Sequence, residues 1–543
     1  MRVLFYYRGS EQLGIEAMSA LLKQEGHEVG LLYDPGADNV FYFESPIFKH
    51  LKVEDRLVKQ AIEYQPDIVA FSCITNLYPY EKSIAKRLKQ HLDVPFVMGG
   101  IHPSTLPDKV MEDGLFEYLC IGEGDYAFLD LLNAIEQDGD TTAIENIHAN
   151  IDGEIFKNDT RPLIEDLDTL PIPDKSLFYD RGAFFRSLLI MTSRGCPFKC
   201  SFCVNNFYHE IKNAHEKPVR QQSVPYAIRA IESYLGYGRP RSVSFLDDIF
   251  GLNPAWMEEF ATTYSKEIGL PFLCNVYPTA VTRKHASLLK KAGCAIALMG
   301  VQSGSPEVRS RMLRKETNEQ IEQSSRYLLE EGIMLSAGFI FGYPNETSDQ
   351  MWESVELSQK IASHGTILSS FVTTTVFYPF PETDGHREAD AADLIDESQH
   401  KTITEGLGSY HTTLLLKQPY TNEALNLAAL LPLFNALPPW FTEKLLRKIY
   451  RKKNNQLIKF AGIIALFLFT IPWFIRERFF NFSYMLIRVF TRPKFLKDPP
   501  KQKPKDRNTP KKQLQQASPQ DPPKQKPVSV VSSVLGFWSK NVD

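Results

Sequence analysis

The chain reads as an α/β protein: a doubly wound domain, then a βα barrel, then a helical extension. Three observations predict this order. Short apolar runs alternate with amphipathic stretches in two successive series, and a proline-rich segment divides them. The length of 543 residues also exceeds what one hydrophobic core can fill. Hydrophobic residues make up 43% and charged residues 23%, which places the chain among ordinary globular proteins. With 65 acidic against 61 basic side chains, no global nucleic-acid footprint exists and no nucleic-acid partner is expected.

The first series spans residues 1–140. Apolar runs at Val3–Tyr7, Val29–Tyr33, Asp67–Cys73, Pro95–Met98 and Tyr118–Ile121 predict five strands. Between them, Ile15–Gln24, Lys82–His91 and Tyr126–Glu136 carry helical periodicity. Continuous apolar strands separated by helices predict a parallel sheet covered on both faces, with ligands at the carboxyl ends of the strands. Residues 141–184 read as a hairpin, signalled by Asp152-Gly153, and a linker carrying Pro162, Pro171 and Pro173.

The second series spans residues 185–390. Strands are predicted at Leu188–Thr192, Ser242–Leu246, Phe272–Val276, Ala295–Val301, Leu335–Phe341 and Ser370–Phe377, with helical patterns filling the gaps. Six βα units predict a partial or complete barrel whose chemistry lies on the loops after the strands. Residues 391–492 read as a helical extension, and 493–543, rich in Pro, Lys and Gln, as a disordered tail.

Three of the seven cysteines fall just after the first barrel strand, as Cys196-Pro-Phe-Lys-Cys200-Ser-Phe-Cys203. Cys73, Cys120, Cys274 and Cys294 lie scattered in apolar surroundings and read as core residues. Three thiolates on one loop suit three corners of a 4Fe–4S cubane and leave the fourth iron open to a small molecule. The competing reading is a structural zinc site completed by His209. It is disfavoured because zinc motifs usually pair two short knuckles.

The CxxxCxxC spacing with Phe202 before the last cysteine resembles the radical S-adenosylmethionine (SAM) superfamily. Four further segments sit on the expected strands. Ser244-Phe-Leu-Asp247-Asp248 resembles the family's second-strand segment. Gly300-Val-Gln302-Ser303-Gly304 resembles its GxESG stretch, with Gln302 in place of Glu. Gly338-Phe-Ile-Phe-Gly342-Tyr-Pro344 resembles its GxIxGxP stretch. Tyr378-Pro379-Phe-Pro381-Glu382-Thr383 resembles the end of its sixth strand, with Glu382 in place of Gly. The resemblance implies a cluster on Cys196, Cys200 and Cys203, and SAM bordered by Phe202, Asp247, Gln302, Ser303 and Gly342. It also implies reductive cleavage of SAM to a 5′-deoxyadenosyl radical that takes hydrogen from a substrate, and an electron donor such as flavodoxin or ferredoxin.

A doubly wound, Rossmann-like domain ahead of such a barrel resembles the cobalamin-binding members of that superfamily. Met98-Gly99-Gly100-Ile-His102 and Ile121-Gly122-Glu123-Gly124 follow predicted strands and carry the resemblance. It implies cobalamin contacts at Ser10, Ser72, Thr75, Gly99, Gly100, His102, Gly122, Glu123 and Gly124. The DxHxxG pattern of many cobalamin domains is missing. Tyr7-Arg8-Gly9-Ser10-Glu11-Gln12-Leu13-Gly14 stands there without a histidine, so no imidazole ligand to cobalt is expected from it. A flavodoxin-like domain without corrin is the alternative.

Phe460–Ile475 has no charged residue and is just under spanning length. Basic residues precede it and aromatic residues follow. The stretch 456–490 is therefore expected to associate with the membrane surface, against the alternative of a helix buried on the barrel. The amino terminus, with a five-residue apolar run, is too short for a signal peptide. The expected location is the cytoplasm, peripheral on the inner face of the membrane. The expected activity is methylation of an unactivated carbon of a hydrophobic small molecule. Two alternatives stand: anaerobic oxidative cyclisation of a tetrapyrrole, and a cluster-bearing sensor without catalysis.

Overall fold

The computed structural model describes residues 1–9, 11–34, 39–40, 43–44, 53–183, 187–210, 217–237, 240–366, 369–404, 416–434, 440, 444, 447 and 450–451. The predicted tail 493–543 and the apolar stretch 456–490 lie outside them. No described helix is long and apolar enough to cross a membrane.

The first domain is built on β1 (Arg2–Arg8), β2 (Glu28–Asp34), β5 (Ile68–Ser72), β6 (Phe96–Gly99) and β7 (Tyr118–Cys120), all parallel. A small antiparallel pair, β3 (Asn39–Val40) with β4 (Phe43–Glu44), stands apart from the sheet. The hairpin β8 (Ile147–Ile151) and β9 (Glu154–Phe156) joins β7 antiparallel, which gives the order β2-β1-β5-β6-β7-β8-β9. Alternation along β1 explains its unbroken apolar run. Val3, Phe5 and Tyr7 enter one core with helices Leu13–Gln24 and Asp125–Glu136. Leu4 and Tyr6 enter the other, with helices Val53–Tyr64 and Tyr78–Lys89. Strand order reverses between β1 and β5, so the carboxyl ends there open a crevice suited to a ligand.

The second sheet runs β10 (Ser187–Ile190), β13 (Ser242–Phe245), β14 (Phe272–Val276), β15 (Cys294–Gln302), β16 (Met334–Phe341) and β17 (Ser370–Val376), parallel and in sequence order. This is the succession of a TIM-like barrel, as expected. Helices between the strands cover its outer face. Two of them begin with capping boxes, Thr317 with Gln320 and Thr347 with Gln350, which satisfy first-turn amides reciprocally. Within the expected helical extension a helix forms at Thr421–Phe434, and its Ala424, Leu427, Leu430 and Leu431 join the barrel core. β10 stops at Ile190, two residues before the predicted end. Beyond it, β11 (Ser193–Arg194) pairs antiparallel with β12 (Arg220–Gln221).

Candidate functional site

The kink after β10 has a definite cause. Asp247, fully buried just past β13, takes the Thr192 amide on both oxygens at 3.1 Å, the Thr192 hydroxyl at 2.7 Å and the Ser193 hydroxyl at 2.5 Å. Burial pushes its carboxyl up, and these bonds pull it partly back. The carboxylate is committed to the strap that launches the cysteine loop. It is the next residue, Asp248, that lines the cleft described below.

The loop Cys196–Cys203 is then fixed by its surroundings. His209 Nε2 bonds the Cys196 carbonyl at 2.8 Å, and the Cys203 amide donates to Cys200 O at 3.0 Å. The ring of Phe198 stacks on Tyr277, with centroids 3.7 Å apart and planes within 7°. Behind Cys200, Arg314 donates to its Sγ (3.6 Å), to Gly300 O (2.7 Å) and to Glu316 Oε1 (2.5 Å). The same guanidinium lies 4.4 Å from the Tyr277 ring centroid, and the Tyr277 hydroxyl donates to Glu316 Oε2 at 2.9 Å. Burial pushes the Cys196 thiol up to about 12 and Cys203 to about 11. Cys200 is also raised by burial, with Arg314 opposing.

Among the described residues, no three His, Cys, Asp or Glu side chains already form a metal-coordinating group. Chemistry nevertheless favours iron–sulfur here over zinc. The three thiols feel one another's charge, and His209 is occupied with the loop backbone. The remaining four cysteines are buried elsewhere. Neutral thiols of this kind are deprotonated when metal binds.

The other expected SAM contacts, Phe202, Gln302, Ser303 and Gly342, do not line the cleft described below. Phe202 packs against the satellite core around Tyr343 and Phe377. Gln302 has φ of 71° at the bulge ending β15. Ser303 is fully buried, with its hydroxyl taking the Ser305 amide at 3.2 Å. Gly304 in the same segment is a packing requirement, because a Cβ there would sit 2.2 Å from Glu353 O. The Gly342 amide donates to Glu346 Oε2 at 2.7 Å, and its carbonyl receives Gln418 Nε2 at 2.9 Å.

A cleft of about 630 Å³ joins the two domains, a size typical of small-molecule sites. Ser72, Gly99, Gly100, Gly122, Glu123 and Gly124 line it from the first sheet, and Met191, Leu246 and Asp248 from the barrel strands. Gly100 adopts φ of 98°, and a Cβ there would approach Cys73 O to 2.6 Å, so this turn admits only glycine. Thr75 and His102 are buried and lie outside the lining among the described residues. His102 instead packs against Tyr78, with ring centroids 4.2 Å apart and planes tilted by 36°, and burial pushes its ring down to about 4. Ser10 lies outside the described residues. Glu123 is engaged by Arg194 and Arg220 of the β11–β12 ribbon. Nearby, Lys175 lies 3.2 Å from Glu11 and 2.8 Å from Glu16, and Glu11 accepts the Leu189 amide of β10 at 3.3 Å.

Sequence reasoning missed Arg314, Tyr277, Asp248, Arg194 and Arg220. Asp248 stood beside a residue that was chosen. Arg194 stood two residues before Cys196, whereas Arg314, Tyr277 and Arg220 carry no local signal, since an arginine or tyrosine is ordinary until the fold brings it to a thiol or a carboxylate.

Comparison with known proteins identifies both domains. The radical SAM superfamily model matches residues 190–358, and the B12 binding domain model matches residues 9–132. An uncharacterized methyltransferase of Pyrococcus horikoshii is 25% identical over 380 residues, covering 68% of this chain and 76% of that protein. An anaerobic magnesium-protoporphyrin IX monomethyl ester cyclase of Rubrivivax gelatinosus is 24% identical over 374 residues, covering 65% of this chain and 63% of that protein. The solved radical S-adenosylmethionine methyltransferase TsrM of Kitasatospora setae, with cobalamin and a [4Fe-4S] cluster bound, superposes with a TM-score of 0.57. It is 19% identical, and the match covers 73% of this chain and 75% of that one.

Proposed function

The chain belongs to the radical SAM superfamily and carries a B12-binding domain ahead of the radical SAM domain, and on that premise we propose that it methylates an unactivated carbon of an apolar small molecule. Its cofactors are those of its two domains: a 4Fe–4S cluster with SAM, and cobalamin. The carrying observation is a cleft lined both by the glycine turns of the first sheet and by the ends of β10 and β13.

When bound, the cluster and SAM supply reductive cleavage of the sulfonium, and cobalamin supplies a transferable methyl group. This chain's residues hold and orient them. Cys196, Cys200 and Cys203 hold three irons, and Arg314 donates to the sulfur of Cys200. Phe202, Gln302, Ser303 and Gly342 border SAM. Ser303 and Gly342 do so through backbone, because their hydrogen bonds hold the turns in place. Asp247 sets the launch of the loop, so its contribution is positional. Ser72, Gly99, Gly100, Gly122 and Gly124 form the floor for the corrin. An apolar substrate is supported by Met191 and Leu246, which remain 38% and 37% exposed where they line the cleft.

Under anaerobic reduction the chain is expected to convert SAM to both deoxyadenosine and S-adenosylhomocysteine, and Cys200→Ala to make no deoxyadenosine. Continued cleavage in that variant would sink the assignment. Similarity to the cyclase favours a second reading, tetrapyrrole cyclisation, which gives deoxyadenosine without S-adenosylhomocysteine. A sensor would give neither. Flavodoxin or ferredoxin as donor, and peripheral membrane contact through residues 456–490, complete the proposal. Flotation of the full chain with anionic vesicles checks the last point, and a protein left at the bottom of the gradient refutes it.

A further inference from the structure

The cysteine loop is anchored from both domains at once. Arg194, which immediately precedes Gly195-Cys196, makes a two-point bond to Asp125 at 2.8 and 3.0 Å and reaches Glu123 at 3.4 Å. Arg220 lies directly opposite Arg194 in the two-residue ribbon. It makes its own two-point bond to Glu123, at 2.9 and 2.6 Å. Guanidiniums facing each other across adjacent strands repel. Here Glu123 lies between them, and Asp125 balances the second charge. Two-point arginine–carboxylate bonds fix angle as well as distance. Arg220 and Asp125 are each only 6% exposed, so water cannot replace a lost partner cheaply. The first domain thus supplies the two carboxylates that neutralise the ribbon's facing arginines.

The carboxylates sit where they matter. Asp125 opens the helix Asp125–Glu136, and Glu123 stands between the cleft-lining Gly122 and Gly124. On the other side, Arg194 is two residues from Cys196. One set of ion pairs thus ties the Gly122–Asp125 turn of the first domain to the segment that leads into the cysteine loop.

We propose that Arg194, Arg220, Glu123 and Asp125 are positioning residues that set the separation of cluster and cobalamin. This rests on the function proposed above. Chemistry shared between two cofactors over one cleft is sensitive to misplacement on the ångström scale. The contact is indifferent to which substrate enters.

The test uses the full chain, purified without oxygen and loaded with both cofactors, as wild type, Arg194→Lys and Asp125→Asn. Lysine keeps the charge but cannot make the two-point bond. Cob(II)alamin and the reduced cluster are both paramagnetic, so pulsed electron paramagnetic resonance reads their separation without any substrate. One narrow separation is expected in wild type, and a clearly broader distribution in both variants at unchanged iron and cobalt content. An unchanged distribution at full occupancy overturns the proposal. Loss of either cofactor from both variants overturns it too, because a positioning contact leaves each site intact. Amide hydrogen exchange on the cofactor-free chain supplies an independent arm. Exchange at residues 193–195 and 220–221 should speed up roughly tenfold in the variants, the effect of lowering a local opening energy by about 1.4 kcal/mol. No change there overturns the latch whether or not cofactors bind. Wild-type protein that takes up iron but no cobalt would instead refute the proposed function, and leave the latch to the exchange result.

Discussion

At the scale of single residues, burial and charge decide what the site can do. Arg314 brings a fixed positive charge and an N–H donor to Cys200 Sγ, and hydrogen bonds to cluster sulfurs help set reduction potential. Arg314→Gln removes the charge, which favours the reduced, more negative cluster. The midpoint should fall by something on the order of tens of millivolts, measured by potentiometric titration of the reduced-cluster signal. An unshifted midpoint would remove Arg314 from that role. A second residue reports on stability. Glu81 is fully buried beside Cys73, and burial pushes its carboxyl up to about 8. It is neutral in the fold, whereas the unfolded carboxyl titrates near its ordinary value. Its contribution is therefore complete below about pH 4.5 and is lost as pH rises to about 8, amounting to a few kcal/mol at most. Glu346, raised to about 8 by burial despite backbone bonds from Gly342 and Tyr343, acts in the same window. Glu81→Gln should flatten part of the decline in urea midpoint between pH 5 and 8 and leave the Glu346 part. An identical slope in the variant would show that Glu81 is not the cause.

At the scale of elements, the active geometry comes from how strands end. β10 breaks off because Asp247 captures Thr192 and Ser193, which turns the chain out of the sheet and into the cysteine loop. β6 ends in Gly99-Gly100, where a positive φ and the approach to Cys73 O leave no room for a side chain. Gly100→Ala combines backbone strain with a clash against backbone, together roughly 1–3 kcal/mol or more. The melting temperature should drop and cobalt content fall, with iron unchanged. Gly26→Ala is the control, since Gly26 also has positive φ but a Cβ there meets nothing within 4 Å. Equal cobalt loss in both variants would mean that strain, not the cleft floor, is responsible.

At the scale of the whole molecule, two domains meet at one cleft but carry separate ligand sets, with the cysteine loop starting just beyond the cleft-lining Gly195. All three cysteines come from the barrel, and the glycine turns come from the first sheet. Protein from cells grown without cobalamin should therefore keep about four irons per chain, as one cubane requires. It should still release deoxyadenosine under reduction and lose only methyl transfer. Coupled loss of iron and cobalt in that preparation would show that the cluster site needs the corrin in order to form.

The sequence by itself determined the two-domain architecture, the strands to within a few residues, and the candidate cluster cysteines. Each of these follows from period, spacing or short-range motif. It also pointed to the cleft-lining glycines, because a turn after a strand needs backbone freedom wherever the strand lies. Only the tertiary structure decided what the polar side chains do. Asp247 was expected beside SAM and is committed to Thr192 and Ser193. His102 followed the right glycines and points into the core against Tyr78. Glu123 was expected at the corrin and is held by Arg194 and Arg220. A polar group's role depends on which partner, often more than fifty residues away in the chain, reaches it first. Hydrogen bonds and ion pairs are directional and short-ranged, so that choice is made when the sheets pack and leaves no period or spacing in the sequence.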